Sequence, residues 1–480
     1  MNSTEITTTE ITTAEMKPGN ATIANLIIGL GVTGRAVAHA LLVRGFEVTA
    51  IDDFPTDAAR NFAIAGGFQL LETPTPQEVA DLVARSERIL PSPGIPDAHP
   101  AMVAAQRHGI PIRSEFDLAQ QWDTRPVAAI TGTNGKTTVT TLVTEMLNAS
   151  GIEAAAVGNT DVPYIAAIDD PNLKVFVVEA SSFRLGHSAH FVPKVATWLN
   201  FAPDHLDVHD SLAAYEESKA QIFRWQAPSD IAIYNAADPT VRKHLGAAQA
   251  VSFDLEQGDF HQEGDYLVDA SGHAIVAISE LPRRLPHDLA NALAAAATAQ
   301  AMGASAPAIA ATLRNFHGLD HRMQFVAELN HIRFYNDSKA TVPEAVQTAT
   351  DGLGTIVLIA GGRNKGLSYK PIVTHANHLR AAVAIGDAAA EVTELMVEHQ
   401  IPVVNATTME EAVNKAFAAA EPGDAVLLSP GGTSHDWYRN YEERGHDFIA
   451  CVNALIHRQT TRVGGKTKQE RHVNSNEDRS

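Results

Sequence analysis

Residues 127–141 read VAAITGTNGKTTVTT. An apolar run, Val127–Ile130, stops at Thr131-Gly132-Thr133-Asn134-Gly135-Lys136-Thr137-Thr138, and a segment with helical character follows from Val139 to Leu147. A strand, a Gly-rich turn, Lys-Thr and a helix are the layout of a phosphate-binding loop. Backbone N–H groups at the helix start point at phosphate oxygens, and the helix dipole favours negative charge there. Lys136 can reach terminal phosphates and the Thr137 hydroxyl suits Mg²⁺. The usual pattern is G-x-x-x-x-G-K-[ST]. Here Ile130 stands at the first Gly position, so the match is to a shortened G-x-x-G-K-T. The plainer alternative is an ordinary Gly-containing βα turn.

Downstream, the run Lys174–Val178 ends in Glu179, and Val195–Phe201 ends in Asp204-His205-Leu206-Asp207. Acids at the C-terminal ends of buried strands stand where open α/β sheets bind ligands. Glu179 suits Mg²⁺, and His205 beside two acids suits a divalent metal, though a local Arg or Lys partner for Glu179 and a structural His205 fit the same residues. Lys219, on the amphipathic segment 215–223, reads as an ordinary solvated helix lysine. Residues 250–285 read as a β-ribbon. The first-turn groups of the Ala-rich helix from Pro286 either face a nucleotide or cap the helix.

Upstream, Gly29-Leu30-Gly31-Val32-Thr33-Gly34 follows a short apolar run and opens a helix; the next strand, Phe46–Ile51, ends in Asp52-Asp53. G-x-G-x-x-G in a β-α-β unit with a following acid fits a diphosphate at the helix start. NAD, a UDP-sugar and a turn that only packs are all compatible with it. After residue 317, Arg322 is a candidate phosphate clamp. Strands ending in Asn336-Asp337-Ser338-Lys339, Gly361-Gly362-Arg363-Asn364-Lys365-Gly366 and Pro430-Gly431-Gly432 suggest a second Rossmann-like sheet.

The length of 480 residues suggests about three domains: 25–122, 123–317 and 318–457, with Trp122–Pro126 as a linker. The tails 1–24 and 458–480 are polar and expected to be disordered. The net charge of −20 argues against a nucleic-acid partner. Cys451 alone excludes an intrachain disulfide and fits a reducing compartment. The N-terminus lacks the basic and apolar regions of a signal peptide, and no apolar run is long enough to span a membrane.

In one order the chain carries TGTNGKTT, EASSFRL (Glu179–Leu185), NFAPDHLDVH, Lys219, His321-Arg322, NDSKAT, GGRNKG and SPGGTSHDWYRNYEERG. Over residues 25–455 this resembles the Mur ligase family. Glu-x-Ser-Ser-Phe and Asn-Asp-Ser-Lys-Ala-Thr point to the member that uses D-glutamate. The resemblance implies a Rossmann-like UDP-binding domain, a central P-loop ATPase domain with a mostly parallel sheet, and a Rossmann-like C-terminal domain that binds the amino acid. It implies a cytoplasmic, monomeric enzyme of peptidoglycan synthesis, joining D-glutamate to UDP-N-acetylmuramoyl-L-alanine through an acyl phosphate, with ATP and two Mg²⁺ sites.

By the same resemblance Lys136, Glu179, His205 and Lys219 are catalytic, and Thr137, Glu179, His205 and Lys219 serve the metals. Lys219 is then carried as a carbamate, which reverses its reading as a solvated lysine. Gly132, Thr133, Asn134, Gly135, Lys136, Thr137, Thr138, Asn291, Arg322 and Asp337 bind ATP. Gly31, Thr33, Asp52 and Asn159 lie along the UDP-sugar. Ser181 also binds substrate, and Thr341, Lys365, Ser434, His435 and Tyr441 surround the D-glutamate carboxylates. Asp288, Val342, Arg184 and Leu367-Ser368 depart from the family pattern. The competing readings are a ligase resembling folylpolyglutamate synthase and a non-catalytic nucleotide sensor.

Overall fold

The computed structural model describes residues 23–204, 209, 211–350, 353–364, 367–374 and 376–474. The chain divides after Phe316 into two compact units.

The first unit begins with a four-stranded parallel sheet of order β3-β2-β1-β4. Its strands are β1 (Leu26–Ile28), β2 (Thr49–Asp52), β3 (Gln69–Glu72) and β4 (Ile89–Pro91). Between and after them run α1 (Val32–Val43), α2 (Asp57–Gly66), α3 (Pro76–Ala84), α4 (Pro100–His108) and α5 (Glu115–Trp122). The local signals are plain: Thr56, Thr75 and Ser114 cap α2, α3 and α5 by accepting N–H bonds, and Gly67 and Gly109 end α2 and α4. The second strand starts at Thr49, three residues later than the β-prone run from Phe46 suggests. Phe46 instead stacks on Trp122 at 6.0 Å.

A six-stranded parallel sheet of order β10-β9-β8-β5-β7-β6 follows. It contains β5 (Val127–Thr131), β6 (Ala154–Gly158), β7 (Val175–Glu179), β8 (Val195–Trp198), β9 (Ile231–Asn235) and β10 (Gln249–Phe253). Helices α6 (Lys136–Ala149), α7 (Tyr164–Ala167), α8 (Ser182–Gly186), α9 (Leu212–Arg224) and α10 (Pro239–Arg242) connect them. Strands β5, β7 and β8 are buried along their whole length, because helices cover both faces of a parallel sheet. The ribbon expected after residue 250 is the antiparallel sheet β11 (His261–Glu263), β12 (Tyr266–Val268) and β13 (Ala274–Ala277). Helices α11 (Pro286–Ala301) and α12 (Ala306–Asn315) close the unit. The alanines of α11 from Ala292 to Ala299 are buried, since small side chains let its backbone approach α6 and the sheet.

The segment expected as a linker is pinned. Arg125 donates to Asp170 O at 2.7 Å and Leu173 O at 2.8 Å, and its guanidinium lies 4.6 Å from the Phe176 ring centroid. Further bonds join the first two sheets: Arg44 pairs with Asp169 at 2.6 Å, and Ser114 Oγ meets Ser188 Oγ at 2.6 Å. These bonds fit a single compact unit holding both sheets.

The second unit is a six-stranded sheet of order β14-β15-β19-β16-β17-β18. Its members are β14 (Gln324–Leu329), β15 (Ile332–Asn336), β16 (Ile356–Gly361), β17 (Leu379–Ile385), β18 (Val403–Asn405) and β19 (Ala425–Gly431). Only the β14–β15 pair is antiparallel among the described pairs. Helices α13 (Pro343–Thr350), α14 (Ala389–Glu398), α15 (Met409–Ala419) and α16 (Tyr441–Asn474) accompany it, with buried clusters on both faces. The backbone of α16 continues past residue 457 to Asn474, through most of the segment assigned to a polar tail. The N-terminal tail up to residue 22 lies outside the described residues.

Candidate active site

Strand β5 is central, so the loops leaving β5, β7 and β8 meet at its C-terminal end. Helix α6 begins at Lys136, not Val139. Gly135 is the reason: with φ 86° it caps the helix in a left-handed conformation that an L side chain resists. Lys136, Thr137 and Thr138 therefore lie in the first helical turn, where backbone N–H groups lack intrahelical partners. The loop is held from β8: Asn134 N donates to Asn200 Oδ1 at 2.9 Å, and Thr133 N to Asn200 O at 3.1 Å.

Two lysines converge on one carbonyl of this loop. Lys136 Nζ donates to Gly132 O at 2.9 Å and Thr133 O at 2.8 Å, and Lys219 Nζ donates to the same Gly132 O at 2.7 Å. Lys219 is 1 % exposed, so its reading as an ordinary solvated helix lysine is wrong. Lys219 shares the buried face of α9 with Tyr215, Ile222 and Phe223, and that face meets the loop. Burial, then the charge of Lys136, holds the Lys219 ammonium well below the ordinary lysine range, with Asp204 opposing. Its Nζ also lies 4.6 Å from the Tyr215 ring centroid.

Glu179 ends β7 beside Ile130 and is buried. Its Oε1 accepts from Asn159 Nδ2 at 2.9 Å, and its Oε2 has no hydrogen-bond partner among the described residues. An acceptor buried without a donor is costly, and a cation or its water would satisfy it. Asn159, expected along the UDP-sugar, is thus bonded to the acid. Ser181 caps α8, accepting from Arg184 N at 3.4 Å. His205 lies outside the described residues. Among the described residues no group of three or more His, Cys, Asp or Glu side chains forms a metal cage.

At the start of α11, Asp288 Oδ2 accepts from Leu285 N at 3.3 Å and Oδ1 pairs with Arg283 at 2.9 Å, so this side chain caps the helix. Asn291 faces the phosphate-type loop: a Cβ built on Gly135 would come within 2.5 Å of Asn291 Oδ1.

The Gly29–Gly34 turn closes differently. Asp52 Oδ2 accepts from Leu30 N at 2.7 Å and Oδ1 from Phe54 N at 2.9 Å. Ser92 Oγ donates to Gly29 O at 2.8 Å. A Cβ on Gly34 would lie 2.0 Å from Gly29 O, whereas one on Gly31 would meet open space. The third glycine therefore serves helix–strand packing, and the turn's open side lies at Gly31. Thr33 is buried in the first turn of α1.

In the second unit Asp337 is buried, its Oδ1 accepting from Met323 N at 3.1 Å and its Oδ2 from Ser429 Oγ at 2.8 Å. Burial pushes its carboxyl up to about 7, against the pull of these donors and of nearby Arg322. Ser434 is buried, His435 exposed and Thr341 half-buried. Tyr441 O accepts from Ser338 Oγ at 2.7 Å. Lys365 lies outside the described residues.

Three organising residues were not singled out as site residues from the sequence. Asn200 braces the phosphate-type loop. Arg184 reaches Thr33. Arg444, 1 % exposed, donates to Ser338 O at 2.8 Å, Ser338 Oγ at 3.0 Å and Gly432 O at 3.0 Å, tying two strand-end loops together. Their place inside quoted motifs marked them, and Arg184 also departs from the family pattern.

Models of three domains match the chain: the Mur ligase MurD-like N-terminal domain over residues 24–114, the Mur ligase middle domain over 130–299 and the Mur ligase glutamate ligase domain over 321–432. A UDP-N-acetylmuramoylalanine--D-glutamate ligase of Frankia casuarinae is 39% identical over 446 residues, 89% of this chain and 93% of its own. Enzymes of the same name from Desulfosudis oleivorans and Pseudomonas fluorescens are 37% and 34% identical, each across 90% of this chain and 96% and 98% of their own. Among solved structures, UDP-N-acetylmuramate-alanine ligase of Thermotoga maritima shares the fold with a TM-score of 0.54 at 17% identity, covering 90% of this chain and all of that one. With the full-length relatives and all three domain models in agreement, the chain belongs to the Mur ligase family of ATP-dependent amide-bond-forming ligases.

Proposed function

We propose that this protein joins D-glutamate to UDP-N-acetylmuramoyl-L-alanine, with ATP converting the substrate carboxylate to an acyl phosphate that the amine then attacks. The observation that carries the reading is full-length similarity, 34–39% identical, to enzymes named for that reaction. ATP suits the turn at Gly132–Gly135, with the helix start, Lys136 and Thr137 at its phosphates and Asn291 beside it. Glu179 Oε2, without a hydrogen-bond partner among the described residues, suits Mg²⁺, whose role when bound is to neutralise charge on the transferring phosphoryl group.

Lys219 suits carbamylation. A neutral amine attacks the carbon of CO₂, the N–C bond forms, a proton leaves nitrogen, and a cationic side chain becomes an anionic metal ligand. Its depressed pKa favours the neutral amine that this step needs. On this reading His205, Lys136 and Glu179 complete the catalytic set. Asp52, Gly31 and Thr33 hold the UDP-sugar, and Thr341, Lys365, Ser434, His435 and Tyr441 hold D-glutamate.

The test is phosphate release from ATP. Release should require both UDP-N-acetylmuramoyl-L-alanine and D-glutamate. Release with a folate and L-glutamate instead, or no release under any combination, would overturn the reading.

A further inference from the structure

Arg322 stands between two residues in the left-handed backbone region, His321 at φ 60° and Met323 at φ 44°. Histidine tolerates that region better than most side chains, and methionine has no such preference. Such residues persist where their surroundings hold them. Here the holding groups come from several elements. Asn336, the fully buried last residue of β15, donates through Nδ2 to His321 Nδ1 at 2.8 Å, to Gln324 Oε1 at 3.0 Å and to Gly445 O at 3.4 Å. Its Oδ1 accepts from Ser338 N at 3.2 Å, which fixes the end of the amide that faces the ring. Gln324 Oε1 also accepts from His321 N at 3.1 Å, and His321 O accepts from Lys339 N at 3.1 Å. On α16, Gly445 makes room: a Cβ there would lie 2.1 Å from His321 Nδ1.

The His321 ring is thus a plug in a fitted socket. An amide N–H donor at Nδ1 requires that nitrogen to be unprotonated, and burial, then the neighbouring His446, holds the imidazole below the ordinary histidine range. What the socket fixes is a direction. His321 is bonded on one side of Arg322, and on the other Met323 N donates to Asp337 Oδ1 at 3.1 Å, so the path of the Arg322 side chain is set by its two neighbours. A turn that merely led into β14 would take negative φ throughout at lower cost. A guanidinium recognises phosphate through two parallel bonds, and a misaimed fork loses both.

We propose that Asn336 is a positioning residue for the nucleotide: acting through His321, it holds the turn that aims the Arg322 guanidinium at the phosphates of ATP. Gly445 supplies the clearance that the ring needs. The proposal rests on the reading of Arg322 as an ATP clamp.

The experiment is a double-mutant cycle on the full-length protein, read as kcat/KM for ATP in the substrate-dependent phosphate-release assay, with the thermal midpoint of each variant. Arg322→Ala should lower kcat/KM on the order of 10²-fold. Asn336→Leu, which keeps the branching of the side chain, should lower it about 10-fold and leave the KM for UDP-N-acetylmuramoyl-L-alanine at the parent's value. The double variant should be no worse than Arg322→Ala alone, because a residue that acts through Arg322 then has nothing to aim. Losses that multiply, as a general structural defect would give, or a folded Asn336→Leu with the parent's kcat/KM, overturn the proposal. Should Asn336→Leu fail to fold, His321→Asn and His321→Ala take its place. Asparagine tolerates positive φ and keeps an acceptor near the Nδ1 position, so it should retain most of the parent's kcat/KM where alanine loses about 10-fold. Equal losses in the two overturn the proposal. An unchanged kcat/KM in Arg322→Ala would instead remove the ATP reading of Arg322, and the proposal with it, which separates the two failures.

Discussion

Two turns of one backbone design sit in the first unit, Gly29–Gly34 after β1 and Gly132–Gly135 after β5. Each follows a buried parallel strand and opens a helix. Their surroundings differ. The neighbouring strand brings the first turn an acid, Asp52, bonded to the turn's own Leu30 N–H. The second turn has two lysines donating to one carbonyl. The turn supplies generic N–H groups and a dipole in both cases. What differs is what the neighbouring elements deliver: an acid bonded to the first turn, and at the second Lys136 beside the buried amine of Lys219.

This contrast can be broken most sharply at Lys136. Lys136→Ala should lower turnover on the order of 10³-fold, by removing a charge partner of the transferring phosphoryl group. Turnover near the parent's would remove the second turn from the chemistry. Lys219→Ala should cost on the order of 10²-fold and regain part of the loss with added short carboxylates. Full activity without them would refute the carbamate, and a dead variant that no carboxylate restores would leave the carbamate unsupported.

Smaller effects test the framework of each turn. Gly34→Ala should destabilise the protein by about 1–3 kcal/mol in denaturant unfolding, because its Cβ has no room beside Gly29 O. Gly31→Ala should be nearly neutral in the same measurement, since its Cβ meets open space. Equal costs would show that the two glycines do not divide packing from ligand access.

The pH dependence separates the turns as well. Lys219 is depressed in the folded state, so the unfolded chain binds more protons between the folded pKa and the usual value of about 10.4. Stability contributed at this position therefore rises with pH across that window. In CO₂-free buffer, denaturation midpoints at pH 7 and pH 9.5 should show that rise in the parent and a smaller one in Lys219→Met. Identical slopes would mean that the lysine is not buried in solution.

Much of the framework was legible because its devices are local. Gly-Lys-Thr after an apolar run, the three-glycine turn with an acid after the next strand, and the β-ribbon after residue 250 each depend on neighbours a few residues away. The helix start at Lys136 was misjudged because the left-handed Gly135 ends the turn earlier than side-chain pattern suggests. Lys219 was misread for a different reason. A helix lysine is ordinarily solvated, yet Lys219 lies on the face of α9 shared by Tyr215 and Ile222, packed against the loop eighty-seven residues back in sequence. The family resemblance supplied its role without supplying its surroundings. For Asn159, assigned to the sugar, the structure adds a bond from its Nδ2 to Glu179.

By itself the sequence determined the three α/β sheets, the two Gly turns and the membership in a ligase family, because strand pattern, glycine placement and motif order are properties of the chain read along its length. The tertiary structure alone decided which lysines share a carbonyl, which acid has an oxygen without a partner among the described residues and where Arg184 points. Those depend on desolvation and on distances between residues far apart in sequence, where a few ångströms and the exclusion of water set both pKa and ligand.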